Sequence, residues 1–423
     1  MENISKFRHG QIFTYRYIRQ IISDWILEET KNSEITVMEI GGTIGDKESE
    51  ILFDTLNLLK SQQKISVYTI MISPYFMHAE SAGLEMSYRS KMTRQAFEKS
   101  WRLGLMPNAI IFRVPKNLQI PRNDLDLIGS DTGLQDAKDV YLDPDFDNIY
   151  ELPKCIHDQS LDKNVLKYFG LNKLFVKKTS RLEKYMHGIK SAKKELLLGV
   201  FGKTVSDDSF ISLREAIDHA GVVQDTKVKI VWLDDSQDYK QELLKVDVLI
   251  IGEGLNYVQQ KIDALTYARE NSIPCLAVSF GCSLLVKEFF EKNLNKKIAI
   301  EELRENGPLI INKTDLKTGS VKLSLISPVH YEKLPIDERI RHWTKYPEKL
   351  EDILNNSDLQ ITGINIETKQ PVIFENKNHP FYVGCMFHPE YISHPGHPHS
   401  LFVKLIKKGL KHKDARKTML FAI

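Results

Sequence analysis

At 423 residues the chain is too long for one ordinary core and predicts two domains with a connecting segment. Its 42% hydrophobic and 27% charged content suits a globular chain; 58 Lys and Arg against 56 Asp and Glu, a net +2, give no basis for a nucleic-acid partner. No apolar run approaches the roughly 18 to 20 residues of a membrane span, MENISKFRHG lacks a signal-peptide core, and Cys155, Cys275, Cys282 and Cys385 form no CxxC pair, so the expectation is a cytoplasmic protein with reduced thiols.

In chain order, the first third alternates the apolar runs ITVMEI, ISVYTIMI and AIIFRV with the helical patterns ESEILFDTLNLLKS and MTRQAFEKSWRLG. Continuous apolar strands separated by amphipathic helices predict a parallel sheet covered on both faces. From 154 to 194 the strand signal gives way to charged helical text, KNVLKYFG and KKTSRLEKYMHGIKSAKKE, which predicts a helical connector. A second α/β series then runs through ELLLGVFG, SLREAIDHAG, VKIVWL, DVLIIGEG, IDALTYARE and CLAVSFG. It closes on the β-rich LQITGINI, PVIFE and FYVGCMF and a basic helix, SLFVKLIKKGLKH. The fold expected is α/β: two doubly wound, mostly parallel-sheet domains at 1–153 and 195–423, joined by the connector.

Three motifs carry chemistry. In AVSFG, Ala277, Ser279 and Gly281 have the spacing of a nucleophile elbow, in which a strand turns sharply into a helix and lifts the residue at the bend. Far downstream, FHPE supplies His388 as a base and Glu390 as a carboxylate to orient it. Gly252 and Gly254, after DVLII, offer a loop whose N–H groups could face an oxyanion, or simply a turn. Next, EIGGTIGDKES lets glycine backbone approach a phosphate closely, while Glu39, Asp46 and Glu48 could hold Mg²⁺ or a sugar. The pattern GxxxxGK[ST] occurs nowhere, so this chain contains no ATP P-loop. Finally, HPGHPHS reads as a proline-bounded loop more readily than a metal site, and Arg339, Arg341 and His342 read as a charged turn or as anchors for a carboxylate.

Together these segments resemble the CTP synthase family, in which an amidoligase domain precedes a class I glutamine amidotransferase domain. The resemblance rests on EIGGTIGDKES, QSLDKNVLKYFGLN, GVFGKTVSDDSFISLREAIDHAG, DSQD, YARENSIP and FHPEYISHPGHP, with FRHGQIF near the start. It implies phosphorylation of UTP by MgATP, followed by displacement with ammonia that a Cys-His-Glu triad releases from glutamine. It also implies a homo-oligomer, with UTP or CTP as ligands. Residue by residue, Glu39 matches a Mg²⁺ carboxylate, and Asp46, Lys47 and Glu48 lie in the pyrimidine-nucleotide loop. Against the family's KTKPTQ, the segment RSKMTR retains Lys91 and Thr93 exactly and positive charge at Arg89, and Arg94 closes the same nucleotide-binding segment. Gly252 matches the oxyanion glycine, and His388 and Glu390 match the base and its orienter.

The departures fall on the chemistry. Ser279 stands at the nucleophilic cysteine, IIG replaces PGG before the loop, Pro144 replaces a UTP lysine, and Trp343 replaces an arginine of the glutamine site. A thiol ionises about five pH units below an alcohol, so Ser for Cys in the same frame costs orders of magnitude in rate. Cys282 does not substitute for the lost thiol, because three helical residues shift a side chain by about 4.5 Å and 300° around the axis. The sequence therefore predicts a CTP synthase-like protein that binds a nucleotide or a partner without turnover. Two other readings stand: an active ligase completed by a separate or upstream N-terminal segment, and a serine hydrolase at Ser279.

Overall fold

A computed structural model of the chain describes residues 14–421 except 76, 80–85, 89, 117, 119, 121, 133, 135–138, 147, 172–179, 203–209, 234–237, 255, 294–300, 304–318, 327–336, 342, 347–349 and 355–356. Arg89, His342, the FRHGQIF segment and Asp235–Gln237 of DSQD lie outside the described residues, as do the side chains of Glu48 and Trp343. The chain divides into two compact units, 1–178 and 179–423. The break falls inside the stretch whose sequence predicts a connector.

The first unit runs α1 (Tyr15–Thr30), α2 (Lys47–Ser61), β1 (Ile70–Pro74), β2 (Met77–Ala79), β3 (Met86–Tyr88), α3 (Ser90–Arg102), β4 (Ala109–Val114), α4 (Arg122–Thr132), β5 (Val140–Pro144), α5 (Leu152–Asp158) and α6 (Leu161–Tyr168). Strands β1, β4 and β5 form a parallel sheet in that order, and β2 pairs with β3 as an antiparallel hairpin. AIIFRV becomes β4 as its apolar run predicts, with Ile110 and Phe112 fully buried. ITVMEI does not become a strand. It has no ladder partner among the described residues, and Val37 is 93% exposed. An apolar run makes a strand only where a neighbour takes its backbone groups. For the same reason ISVYTIMI pairs only from Ile70 onward. Thr14 caps α1, a helix the sequence reading passed over, by accepting from the Tyr17 N–H.

The second unit runs α7 (Ser180–Ser191), β6 (Lys194–Phe201), α8 (Ile211–Val223), β7 (Thr226–Trp232), α9 (Tyr239–Leu243), β8 (Val248–Ile251), α10 (Val258–Glu270), β9 (Cys275–Val278) and α11 (Phe280–Glu288). It continues through β10 (Glu301–Leu303), β11 (Gly319–Leu325), β12 (Asp337–Ile340), β13 (Trp343–Lys345), α12 (Leu350–Leu354), β14 (Leu359–Asn365), β15 (Pro371–Asn376), β16 (Tyr382–Cys385) and α13 (Ser400–Phe421). Nine strands form one sheet in the order β12-β11-β14-β15-β16-β9-β8-β6-β7. The β7-β6-β8-β9-β16 half is parallel and the rest antiparallel. Every residue of β8, β9 and β16 is buried, as expected of strands covered on both faces and written as unbroken apolar runs. This order puts the C-terminal ends of β8, β9 and β16 side by side, and the two catalytic motifs follow directly from β9 and β16.

Candidate functional site

At the end of β9, Ser279 adopts φ 56°, ψ −118°, a conformation that costs a non-glycine residue strain of order 1–3 kcal/mol. Its N–H donates to Cys385 O at 2.8 Å, and its carbonyl accepts from Cys282 N at 3.0 Å to start α11. The bend depends on Gly281, since a Cβ there would lie 2.2 Å from Ile251 O. The elbow predicted from AVSFG is thus formed in full around a serine. Ser279 is fully buried, and among the described residues its Oγ has no hydrogen-bond partner.

The HPE segment follows β16. His388 N donates to Arg339 O at 2.9 Å, which holds the histidine against β12. The imidazole is 2% exposed, its Nδ1 lies 2.7 Å from Glu390 Oε1, and Tyr391 stacks on it with centroids 5.1 Å apart. A carboxylate on Nδ1 fixes the ring and directs Nε2 outward for proton transfer. That Nε2 has no hydrogen-bond partner among the described residues, Ser279 Oγ included. The carboxylate of Glu253 lies nearby, its Oε2 3.7 Å away.

A cavity of about 260 Å³ opens over His388 and Glu390, lined also by Glu253, Arg341, Tyr391 and Phe210. Val278 forms the wall beside the elbow, and Ser279 does not reach the cavity surface. Arg341 Nη1 donates to Tyr391 Oη at 2.9 Å, so one of the predicted anchors does border the cavity. Gly252 does not supply the expected oxyanion donor. Its N–H donates to Phe201 O at 2.8 Å within the sheet. Cys282 is fully buried, with its Sγ within contact range of where a Gly384 side chain would begin, and burial pushes its thiol well above the ordinary range. It is part of the core, as its helical offset from the elbow implies. In HPGHPHS, His394 and His397 pair backbone to backbone in a tight loop, and no group of three or more metal-ligating side chains occurs among the described residues.

In the first unit, EIGGTIGDKES leads into α2. Gly42 and Gly45 take φ of 86° and 94°, the turn freedom their sequence implied. Asp46 Oδ2 accepts from Thr43 N at 3.0 Å, so part of that carboxylate closes its own loop. Asp46, Lys47 and Glu39 are exposed, as are Lys91 and Arg94 on α3. Thr93 is not presented to a ligand: it is 1% exposed, with its Oγ1 3.2 Å from Ser73 Oγ. Sequence reading missed Lys99, whose aliphatic stem covers Gly45, 3.1 Å from where a Cβ would stand. It also missed Glu253 and the buried Lys261. A lysine in an amphipathic helix carries no signal of burial. Glu39 is one exposed carboxylate, a donor that suits Mg²⁺ arriving with a nucleotide's phosphates rather than a cation held by protein alone.

Two family models match the chain: CTP synthase N-terminus over residues 2–171, and glutamine amidotransferase class-I over residues 205–408. A curated CTP synthase of Rickettsia peacockii (strain Rustic) is 27% identical, with 97% of this chain and 80% of that protein covered. One of Carboxydothermus hydrogenoformans (strain ATCC BAA-161 / DSM 6008 / Z-2901) is 29% identical, covering 96% and 81%. Among solved structures, the Trypanosoma brucei CTPS glutaminase domain with bound acivicin is 19% identical at a TM-score of 0.43, covering 51% of this chain and 94% of that one.

Proposed function

The chain belongs to the CTP synthase family, and from that premise we propose that it is a member whose glutaminase site has lost turnover and whose remaining role is to bind a pyrimidine nucleotide. One observation carries this reading. The elbow retains its strained backbone, but the Ser279 hydroxyl is buried and makes no bond to the His388 nitrogen that would have to take its proton. The same separation argues against a serine hydrolase, which needs nucleophile and base within hydrogen-bond reach.

For the ligand, the support is the exposed charge of the first unit. Lys91 and Arg94 on α3 and the glycine turn before α2 offer cations and backbone to phosphates, and Glu39 would hold Mg²⁺ brought by them. The ion would screen phosphate charge there. UTP and CTP are the ligands that the family implies. Thermal unfolding in the presence of UTP, CTP or ATP tests this, because a ligand that prefers the native state raises its melting temperature. UTP or CTP should stabilise the chain at millimolar concentration, and no shift with either would remove the nucleotide-binding reading.

A further inference from the structure

We infer that Glu253 is a second block on the glutaminase-like site: its carboxylate stands beside the ring nitrogen of His388 that an elbow nucleophile would need, so restoring a thiol at position 279 would not by itself restore reactivity. The inference rests on the reading of the site as inactive.

His388 has two ring nitrogens, and Nδ1 is committed to Glu390 at 2.7 Å. Nε2 alone is left to exchange a proton with a nucleophile. Glu253 Oε2 stands 3.7 Å from it, and both residues border the same cavity. Ser279 Oγ makes no hydrogen bond there. A carboxylate in this place opposes catalysis twice. It stands beside Nε2 where the nucleophile would have to approach, and its negative charge disfavours both a thiolate and the oxyanion of a tetrahedral intermediate beside it.

Glu253 is held in place by its backbone. Gly252 N–H donates to Phe201 O and ties the start of the loop to β6. Gly254 turns the chain with φ +109°. Between them the carbonyls of Glu253 and Gly254 accept from Lys261 Nζ at 3.3 and 2.8 Å. Lys261 is 1% exposed, and its ammonium reaches this loop from inside the unit. Glu253 is the residue that meets His388, and Lys261 positions it.

Labelling with iodoacetamide, read by mass spectrometry at position 279, tests the inference in S279C, S279C/E253Q and S279C/K261M at pH 7. Alkylation reports thiolate, and buried Cys275, Cys282 and Cys385 serve as internal controls for unfolding. S279C should label slowly, S279C/E253Q about tenfold faster, and S279C/K261M faster than S279C. Glutamate release from glutamine should be measurable in S279C/E253Q and absent in S279C. Equal labelling of S279C and S279C/E253Q, or equal glutamine hydrolysis by the two, would overturn the inference. Glutamate release by the unaltered chain would instead overturn the inactive-site reading, and the labelling ratio would still report on Glu253.

Discussion

Lys261 Nζ donates to the carbonyl of Gly254 at 2.8 Å from a position that water does not reach. A buried ammonium is costly unless carbonyls surround it, so this contact trades global stability for a fixed loop. Lys261→Met should leave the unfolding free energy within about 1 kcal/mol, because the lost bonds and the relieved desolvation offset one another. The loop should loosen instead. Hydrogen exchange at residues 252–254 should speed up in the variant while the strands exchange as before, and unchanged protection would show that Lys261 does not fix the loop.

Ser279 keeps a strained backbone and an unbonded buried hydroxyl. Glycine accepts φ 56° without a Cβ penalty and removes the hydroxyl as well. Ser279→Gly is predicted to stabilise the chain by roughly 1 kcal/mol, seen as a higher midpoint in urea. A loss of stability would mean that the hydroxyl has a partner the elbow needs.

Asp247 is 1% exposed at the head of β8 and gathers three donors: Leu197 N at 2.9 Å, Arg416 Nη2 at 2.9 Å and Lys413 Nζ at 3.4 Å. The last two come from α13, whose Gly409 lets the helix cross close over Val248. Asp247→Ala leaves the buried Leu197 N–H without an acceptor and removes the carboxylate from Lys413 and Arg416, which keep the carbonyls of Glu195, Val246 and Lys245, and should cost roughly 1–3 kcal/mol in denaturant unfolding. Asp247→Asn should cost less, since it still accepts from Leu197.

His379 links pH to stability. Its Nδ1 accepts from Phe381 N at 3.1 Å and its Nε2 lies 3.2 Å from Ala268 O, a pattern only the neutral ring satisfies. Burial, the largest cause, pushes its pKa down to about 4, well below the value it regains on unfolding. With the folded pKa depressed, its contribution is complete above about pH 6.5 and is lost as pH falls toward 4, by on the order of 3 kcal/mol. Unfolding free energies at pH 7 and 4.5 should differ less in His379→Gln than in the parent chain; an unchanged difference would assign the acid sensitivity elsewhere.

The elements most legible in the sequence were those written twice over, in pattern and in flanking turns. DVLII, CLAV and FYVGC became fully buried strands, and AVSFG became the elbow, because continuous apolar runs ending in small residues admit few other folds. His388 with Glu390 was readable from the three letters HPE. What the letters lacked was proximity across the sheet. Glu253 meets His388 only because β8, β9 and β16 lie side by side, and nothing local to GEG announces a carboxylate aimed at an imidazole. ITVMEI fails in the opposite way: its pattern is that of a strand, but strand formation needs a neighbour that its own letters do not specify. Thr93 shows the same limit, since a match to a family motif did not reveal that its hydroxyl faces Ser73.

The most direct test is glutamate release from glutamine by the purified chain, followed for hours with UTP and MgATP present and compared with Ser279→Ala. No release above that control is expected, because the buried Ser279 hydroxyl has no bond to its base. Release at an ordinary enzymatic rate that disappears in Ser279→Ala would contradict it.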